Sequence, residues 1–99
     1  MATRYNVSKI QQLIDLNGST TNFDINFKVV SENKQPFQVI VADQSTIDNN
    51  PNLAFQTANG EISGQLTQDK NIYQNYFLIL KSEQPCVCLV EINKKEIPA

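Results

Sequence analysis

The chain has 99 residues, of which 40% are hydrophobic and 18% charged, and its net charge is −2 with an isoelectric point near 4.9. A chain of this length has room for one modest core, so we expect one domain over residues 1–99. The charge gives no field that attracts phosphate, no window approaches the ~18 apolar residues of a membrane span, and the first residues lack the apolar stretch of a signal peptide. We therefore expect neither nucleic acid nor a membrane as a partner, and synthesis in the cytoplasm without a leader.

Catalytic and metal chemistry have little support in the residue types present. The chain contains no histidine, which removes the commonest proton-transfer group and metal ligand. Cys86 and Cys88 are separated by one residue, so a strand would place both on one face, a spacing poorly suited to a mutual disulfide. We predict that both are buried, reduced thiols, that no cofactor binds, and that the protein is not an enzyme.

The N-terminal segment favours a helix slightly over a strand. Apolar residues recur at helical spacing from Val7 to Ile14, and Asn17-Gly18 suits a left-handed helix cap. The pattern predicts a short helix or an arm within residues 1–18. A strand over residues 5–16 is the alternative.

From residue 22 the spacing of apolar residues changes to strict alternation. Large apolar side chains stand at 23, 25, 27 and 29, and again at 37, 39 and 41, as in strands with one buried face. The stretch "SENKQP", residues 31–36, separates these runs, and a shorter "SEQP", residues 82–85, separates two later ones. Proline suits the boundary between a turn and a strand. We predict two hairpin corners, with 23–30 paired to 37–42 and 75–81 paired to 86–92.

Three further features describe the second half of the chain. Ala58-Asn59-Gly60 carries the Asn-Gly pair of a primed hairpin turn and predicts that the strands on either side are paired. Gly64, inside a strand, predicts a bulge or a close neighbour. The run from Tyr73 to Leu80 is apolar on both faces near its end, as expected for a strand covered on both sides.

Together these runs define the predicted fold. They give about six to seven strands without intervening helices, which favours an all-β, small antiparallel β-sandwich, either jelly-roll-like or Ig-like.

Two segments are candidate contact loops. Residues 43–52 are dense in Asp, Asn, Ser and Pro, which favours a turn over a calcium site because the EF-hand spacing is absent. Residues 67–72 form the second loop. The candidate contact residues are Asp43, Asp48, Asn49, Asn50, Asp69 and Lys70.

The function expected from these features is contact with other proteins. The chain has 12 Asn and 10 Gln, and such neutral groups can hydrogen-bond across an interface without the desolvation cost of charges. In size and composition it resembles small accessory proteins of virus particles, namely capsid cement, decoration, fibre or spike components. This resemblance implies a structural virion protein whose partners are copies of itself and a larger assembly. The alternative is a module that binds a glycan or a peptide through the two loops.

Overall fold

More than half of the chain folds into strands. The computed structural model describes residues 2–50 and 52–98. Within these residues lie eight strands and one short α-helix. The strands are β1 (Ala2–Val7), β2 (Gln12–Asp15), β3 (Phe23–Ser31), β4 (Pro36–Asp43), β5 (Gln56–Asn59), β6 (Glu61–Gln68), β7 (Tyr76–Lys81) and β8 (Cys86–Glu96), and the helix is α1 (Gln44–Asn49). The all-β prediction is confirmed.

The strands form two antiparallel sheets of four strands each. Sheet A has the order β1-β8-β3-β6, and sheet B has the order β2-β7-β4-β5. In sheet A, Val29 of β3 lies between Val90 of β8 and Ile62 of β6. In sheet B, Val41 of β4 is opposite Leu78 of β7.

The hydrophobic core lies between the two sheets. The alternating residues of β3, including Phe23, Ile25 and Val29, are fully buried, as is Leu78 from sheet B, and they belong to one cluster that also includes Phe37. Burying one apolar face of each sheet against the other supplies the main driving force for folding. The alternation predicted for β3 and β4 is therefore confirmed.

The two predicted hairpin corners are wrong. Residues 23–30 pair with β6 and β8, and residues 37–42 pair with β5 and β7, so β3 and β4 lie in different sheets. In the same way β7 is in sheet B and β8 in sheet A. Each "SE…QP" segment therefore carries the chain from one sheet to the other. The alternation of apolar residues could not reveal this change of sheet. Two strands can turn their apolar faces to one core either as neighbours in one sheet or as members of two sheets that face each other.

Buried serine hydroxyls hold both of these corners. Ser31 Oγ lies 2.7 Å from Gln35 O and 3.3 Å from Gly60 O, and Ser82 Oγ lies 2.5 Å from Gln84 O and 3.3 Å from Pro36 O. A hydroxyl has one proton, which goes to the nearer carbonyl in each case. Both serines are almost fully buried, so these bonds satisfy groups that water does not reach.

The predicted hairpin at Ala58-Asn59-Gly60 is also wrong. Gly60 has the positive φ expected of it, 98°, but the turn takes the chain from β5 in sheet B to β6 in sheet A. Ser31 N donates to Gly60 O at 2.9 Å, and a Cβ on Gly60 would lie 2.9 Å from Lys34 Cβ. Glycine is needed here both for its conformation and for this close approach.

Gly64 has the close neighbour that the sequence predicted. It is directly opposite Phe27 of β3, and a Cβ on Gly64 would lie 2.6 Å from Phe27 Cζ. The Phe27 ring therefore occupies the space that a side chain on β6 would otherwise fill.

The N-terminal helix or arm is wrong, and the strand alternative is closer to the structure. Residues 2–7 pair with β8 in sheet A, and residues 12–15 pair with β7 in sheet B. With these two strands the structure has eight described strands, against the six to seven expected from the sequence. Val7 and Ile14 are both buried in the core between the sheets. Their helical spacing arises because the chain changes sheets between them.

The loop predicted over residues 43–52 contains α1. Beyond the helix, Phe55 lies over the outer face of sheet B, where the Lys81 ammonium is 4.3 Å from the centre of its ring. Ile79 points to this outer face and is nevertheless fully buried. Strand β7 lies inside sheet B, between β2 and β4, and Leu78, Ile79 and Leu80 are all inaccessible. The prediction that this strand is covered on both sides is confirmed.

Candidate interaction surfaces

Four of the six predicted contact residues lie on or beside α1. Asp43 is the N-cap and accepts a hydrogen bond from Thr46 N at 2.7 Å, and hydrogen bonds from Thr46 hold the pKa of the Asp43 carboxyl below its usual value. Asp48 accepts from Gln44 Nε2, and Asn49 and Asn50 donate to backbone carbonyls of the helix. These side chains are therefore used to fold the connection itself.

The other two predicted residues, Asp69 and Lys70, are exposed after the end of β6. Residues 44–50 and 69–75 lie at the same end of the molecule, together with residues 16–22; we call these three segments the loop end. Gln44 N donates to Asn75 O at 2.9 Å, so the first predicted loop touches the chain three residues beyond the second one, which was predicted over residues 67–72. Among the described residues, no group of three or more His, Cys, Asp or Glu could hold a metal ion.

Two buried asparagines organise the loop end: Asn17, which the sequence suggested only as part of a helix cap, and Asn22, which no sequence pattern marked. Asn17 is fully inaccessible. Its Nδ2 donates to Thr20 O at 2.9 Å and to Gln74 O at 2.8 Å, and its Oδ1 accepts from Tyr76 N at 2.7 Å. A fully buried amide with three such bonds joins residues 16–22 to residues 69–75. Its position directly before Gly18, in a turn, was the only sequence signal.

Asn22 makes a second connection between the same segments. Its Nδ2 donates to Asn71 Oδ1 at 2.7 Å, and its Oδ1 accepts from Asn71 N at 3.0 Å. The hydroxyl of Tyr73 donates to Gly18 O at 2.6 Å. The loop end is therefore a platform whose conformation is fixed by hydrogen bonds, which suits recognition of a partner without loss of loop entropy.

The two "SE…QP" corners enclose a cavity at the opposite end of the molecule. We call residues 8–11, 32–35, 60 and 82–85 the corner end. The cavity has a volume of about 360 Å³ and is lined by Gln35, Pro36, Phe37, Gln38, Thr57, Ser82, Glu83 and Gln84. The corners meet here because Ser82 Oγ reaches Pro36 O. The two hairpin corners predicted from the sequence would produce neither this contact nor this cavity.

The outer face of sheet A is flat and polar. A shallow depression of about 440 Å³ lies over its centre, lined by Asn26, Phe27, Lys28, Ser63, Gly64, Gln65, Glu91 and Asn93. Asp24 accepts from Gln65 Nε2 at 2.9 Å and from Thr67 Oγ1 at 3.0 Å, and these bonds lower the pKa of Asp24. Lys28 Nζ lies 3.3 Å from Glu61 Oε1. Neutral amides and hydroxyls therefore provide much of the hydrogen-bonding capacity of this surface.

The two cysteines lie on the inner face of β8, and their sulfur atoms are 4.0 Å apart. Both are free thiols, and Cys88 is fully buried while Cys86 is half-buried. Burial, assisted by the neighbouring Cys86, raises the pKa of Cys88 to about 12. This thiol stays protonated at neutral pH and contributes to packing.

Comparison with known proteins gives two viral relatives. The chain is 30% identical over 92 residues to the uncharacterized protein 234R of Invertebrate iridescent virus 6, a match that covers 93% of this chain and 48% of the relative. It is 37% identical over 89 residues to the uncharacterized protein 073R of Invertebrate iridescent virus 3, covering 89% of this chain and 49% of the relative. The chain thus spans about half the length of the curated relatives it matches.

Other comparisons return nothing. No family model matches the chain, and no solved structure gives a significant match. No helix among the described residues is long and apolar enough to cross a membrane.

We predict that Asn17 is far more important for stability than an exposed asparagine. Asn17→Ala leaves buried backbone groups without partners, each costing ~1–3 kcal/mol, so we expect the free energy of unfolding in urea to fall by about 2–4 kcal/mol. Asn26→Ala, on the outer face of sheet A, is the matched control and should change it by less than about 0.5 kcal/mol. Equal effects of the two substitutions would contradict the role of Asn17.

We predict that Cys88 makes the protein less stable at high pH. The unfolded thiol ionises near its ordinary pKa of 9.0, whereas the folded thiol keeps its proton up to about pH 12. The folded state therefore binds more protons above pH 9, and the free energy of unfolding decreases there by up to about 1.4 kcal/mol per pH unit from this group.

Comparison of variants isolates this contribution from that of other groups. Urea unfolding of the wild type and Cys88→Ala should give parallel pH profiles below pH 9, with the wild type falling more steeply above it. Cys86→Ala, which keeps Cys88, should retain the steep fall. Profiles of the wild type and Cys88→Ala that stay parallel up to pH 11 would show that the Cys88 pKa is not raised.

Proposed function

We propose that this chain is a non-enzymatic structural protein of a virus particle, of the capsid cement, decoration, fibre or spike type, which acts through contacts with other proteins. The observation that carries the proposal is the strand order. Six of the seven connections between the described strands switch sheets, and only β4 and β5 are consecutive neighbours in one sheet. We take two four-stranded sheets connected in this way to be a jelly roll, the first of the two sandwich types expected from the sequence and an architecture common in viral capsid and lectin domains.

The viral origin of the relatives supports the same proposal. Both matched proteins come from invertebrate iridescent viruses. Because a jelly roll hosts many functions, the fold alone does not select a virion role, and the viral relatives add the second reason for it.

The chemistry of the surfaces also supports contact rather than catalysis. The carboxylates of Asp24 and Asp43 accept hydrogen bonds from neighbouring residues, and the Cys88 thiol is buried and protonated. The outer face of sheet A and the loop end present amides and hydroxyls in fixed positions. Such groups suit a hydrated, hydrogen-bonded interface with a larger assembly.

A glycan- or peptide-binding module is the second candidate, and the corner-end cavity favours it. Its volume of about 360 Å³ is within the usual range for small-ligand pockets. Pro36 and Phe37 supply apolar surface, and Gln35, Gln38 and Gln84 supply amides. In this alternative the binding surface lies at the corner end instead of in the two loops proposed from the sequence.

The proposal is tested by asking whether the chain is part of particles. We expect quantitative mass spectrometry of purified particles of the encoding virus to find the chain enriched over the infected-cell lysate, at a fixed ratio to the major capsid protein after washing. We also expect the recombinant chain to co-sediment with these particles. Absence from particles and no co-sedimentation would contradict a virion role. A tight glycan affinity of a chain that associates with nothing larger would favour the second candidate.

A further inference from the structure

Strand β6 is the least protected edge of the two sheets. The four edge strands are β1 and β6 in sheet A and β2 and β5 in sheet B. Strands β2 and β5 have four residues each, and β1 carries Arg4. Strand β6 has eight residues, its register against β3 runs without a bulge from Glu61 to Gln68, and its only charged residue is Glu61 at the start. Short length, internal charges, prolines and bulges are the usual means of preventing edge strands from pairing.

The register to β3 identifies which backbone groups are free at this edge. Ser31 N donates to Gly60 O, and hydrogen-bonded and non-hydrogen-bonded pairs alternate along an antiparallel ladder. Ile62, Gly64 and Leu66 therefore bond to β3. The N–H and C=O groups of Ser63, Gln65 and Thr67 point to the free edge, where they can bond to another strand.

The side chains along this edge are suited to a second strand of the same sequence. On the inner face, Ile62 and Leu66 are only partly covered by the core against which they pack, and Gly64 stands midway between them. On the outer face, Ser63, Gln65 and Thr67 are exposed and uncharged.

We propose that a second copy of this chain binds at β6, with the two β6 strands antiparallel about a two-fold axis at Gly64. The two copies of sheet A would then form one continuous sheet of eight strands. This inference rests on the proposed function, because it specifies how the protein contacts copies of itself. The mode of binding is strand addition at a sheet edge, and the two-fold arrangement is the commonest symmetry of homo-oligomers.

The free backbone groups restrict the register. Odd-numbered residues carry the free groups, so odd residues must pair with odd ones. With the axis at Gly64, Ser63 is opposite Gln65 of the second copy, and Ile62 is opposite Leu66 of the second copy. Gly64 faces itself in a non-hydrogen-bonded pair, where the chains approach most closely, and Glu61 faces Thr67. Apolar side chains therefore meet apolar ones, and like charges are not opposed.

The neighbouring register is less favourable. An axis at Gln65 places Ile62 opposite Gln68 and Leu66 opposite Gly64, so the partly exposed apolar side chains lose their apolar partners. An odd–even register would place the free backbone groups opposite residues whose own backbone groups already bond to β3.

A charge-pair variant tests the dimer by strengthening it. Ser63→Glu/Gln65→Lys places Glu opposite Lys at two symmetric positions across the proposed interface. Each new charge is also tolerated within one copy, because Ser63 is opposite Lys28 and Gln65 already bonds to Asp24. We expect the dimer dissociation constant from sedimentation equilibrium to decrease about 3- to 10-fold at low salt, and the gain to diminish at high salt.

The single variants are matched controls. Ser63→Glu alone faces Gln65, and Gln65→Lys alone faces Ser63, so neither single substitution creates an ion pair in the homodimer. A mixture of the two singles should form heterodimers in preference to homodimers.

A proline variant tests the dimer by removing it. The Ser63 N–H points to the free edge, so Ser63→Pro keeps the ladder to β3 but removes two hydrogen bonds across the proposed interface. We expect a folded monomer with a circular dichroism spectrum like that of the wild type. If this variant does not fold, the charge-pair variant still decides.

The results that would overturn the inference are specific. A wild-type chain and a charge-pair variant that both stay monomeric at high concentration would overturn it, as would a charge-pair variant that dimerises no more tightly than the singles. Weaker dimerisation of the charge-pair variant would indicate an axis at Gln65, where Lys faces Lys, or at Ser63, where Glu faces Glu, and would overturn the arrangement at Gly64. A monomer that is nevertheless enriched in particles would refute the β6 dimer and leave the virion role standing. A β6 dimer that is absent from particles would refute the virion role and leave the β6 dimer standing.

Discussion

Two buried serine hydroxyls hold the segments on which the whole arrangement depends. Ser31 and Ser82 each bond to a carbonyl of their own corner, and Ser82 also reaches the corner that begins at Ser31, through Pro36 O. A chain that leaves one sheet for the other exposes backbone groups that no ladder satisfies. The buried hydroxyls supply hydrogen-bond partners for these carbonyls. The proline that follows fixes the backbone where the next strand begins.

The surfaces of the protein follow from these crossings. Because consecutive strands, with the exception of β4 and β5, alternate between the sheets, each sheet is built from distant parts of the chain, and β6 becomes an edge of sheet A although it lies in the middle of the sequence. The same crossings bring the two corners together around one cavity, and they gather three connections at the loop end. The assembly through sheet A and the recognition at either end that we propose would both use surfaces created by these crossings.

The sequence predicted the strands well and their arrangement poorly. Alternation located β3 and β4, and the apolar run in β7 correctly indicated a strand covered on both sides, because both signals depend on local burial. The pairings were wrong because alternation is the same whether two strands share a sheet or face each other. Helical spacing between Val7 and Ile14 was misleading for a related reason, since those residues reach one core from two sheets. Asn17 could not be found because its partners, Gln74 and Tyr76, are distant in the sequence.

A map of backbone nuclear Overhauser effects in the isotope-labelled protein distinguishes the two-sheet strand order from the two hairpins that the sequence predicted. We expect contacts between Val29 and both Val90 and Ile62, and between Val41 and Leu78, since these residues face each other across the ladders. The "SE…QP" segments would then be crossings between sheets. Contacts that run along the length of β3 and β4 as one hairpin, or of β7 and β8 as another, would contradict the sheet order and the free β6 edge that depends on it.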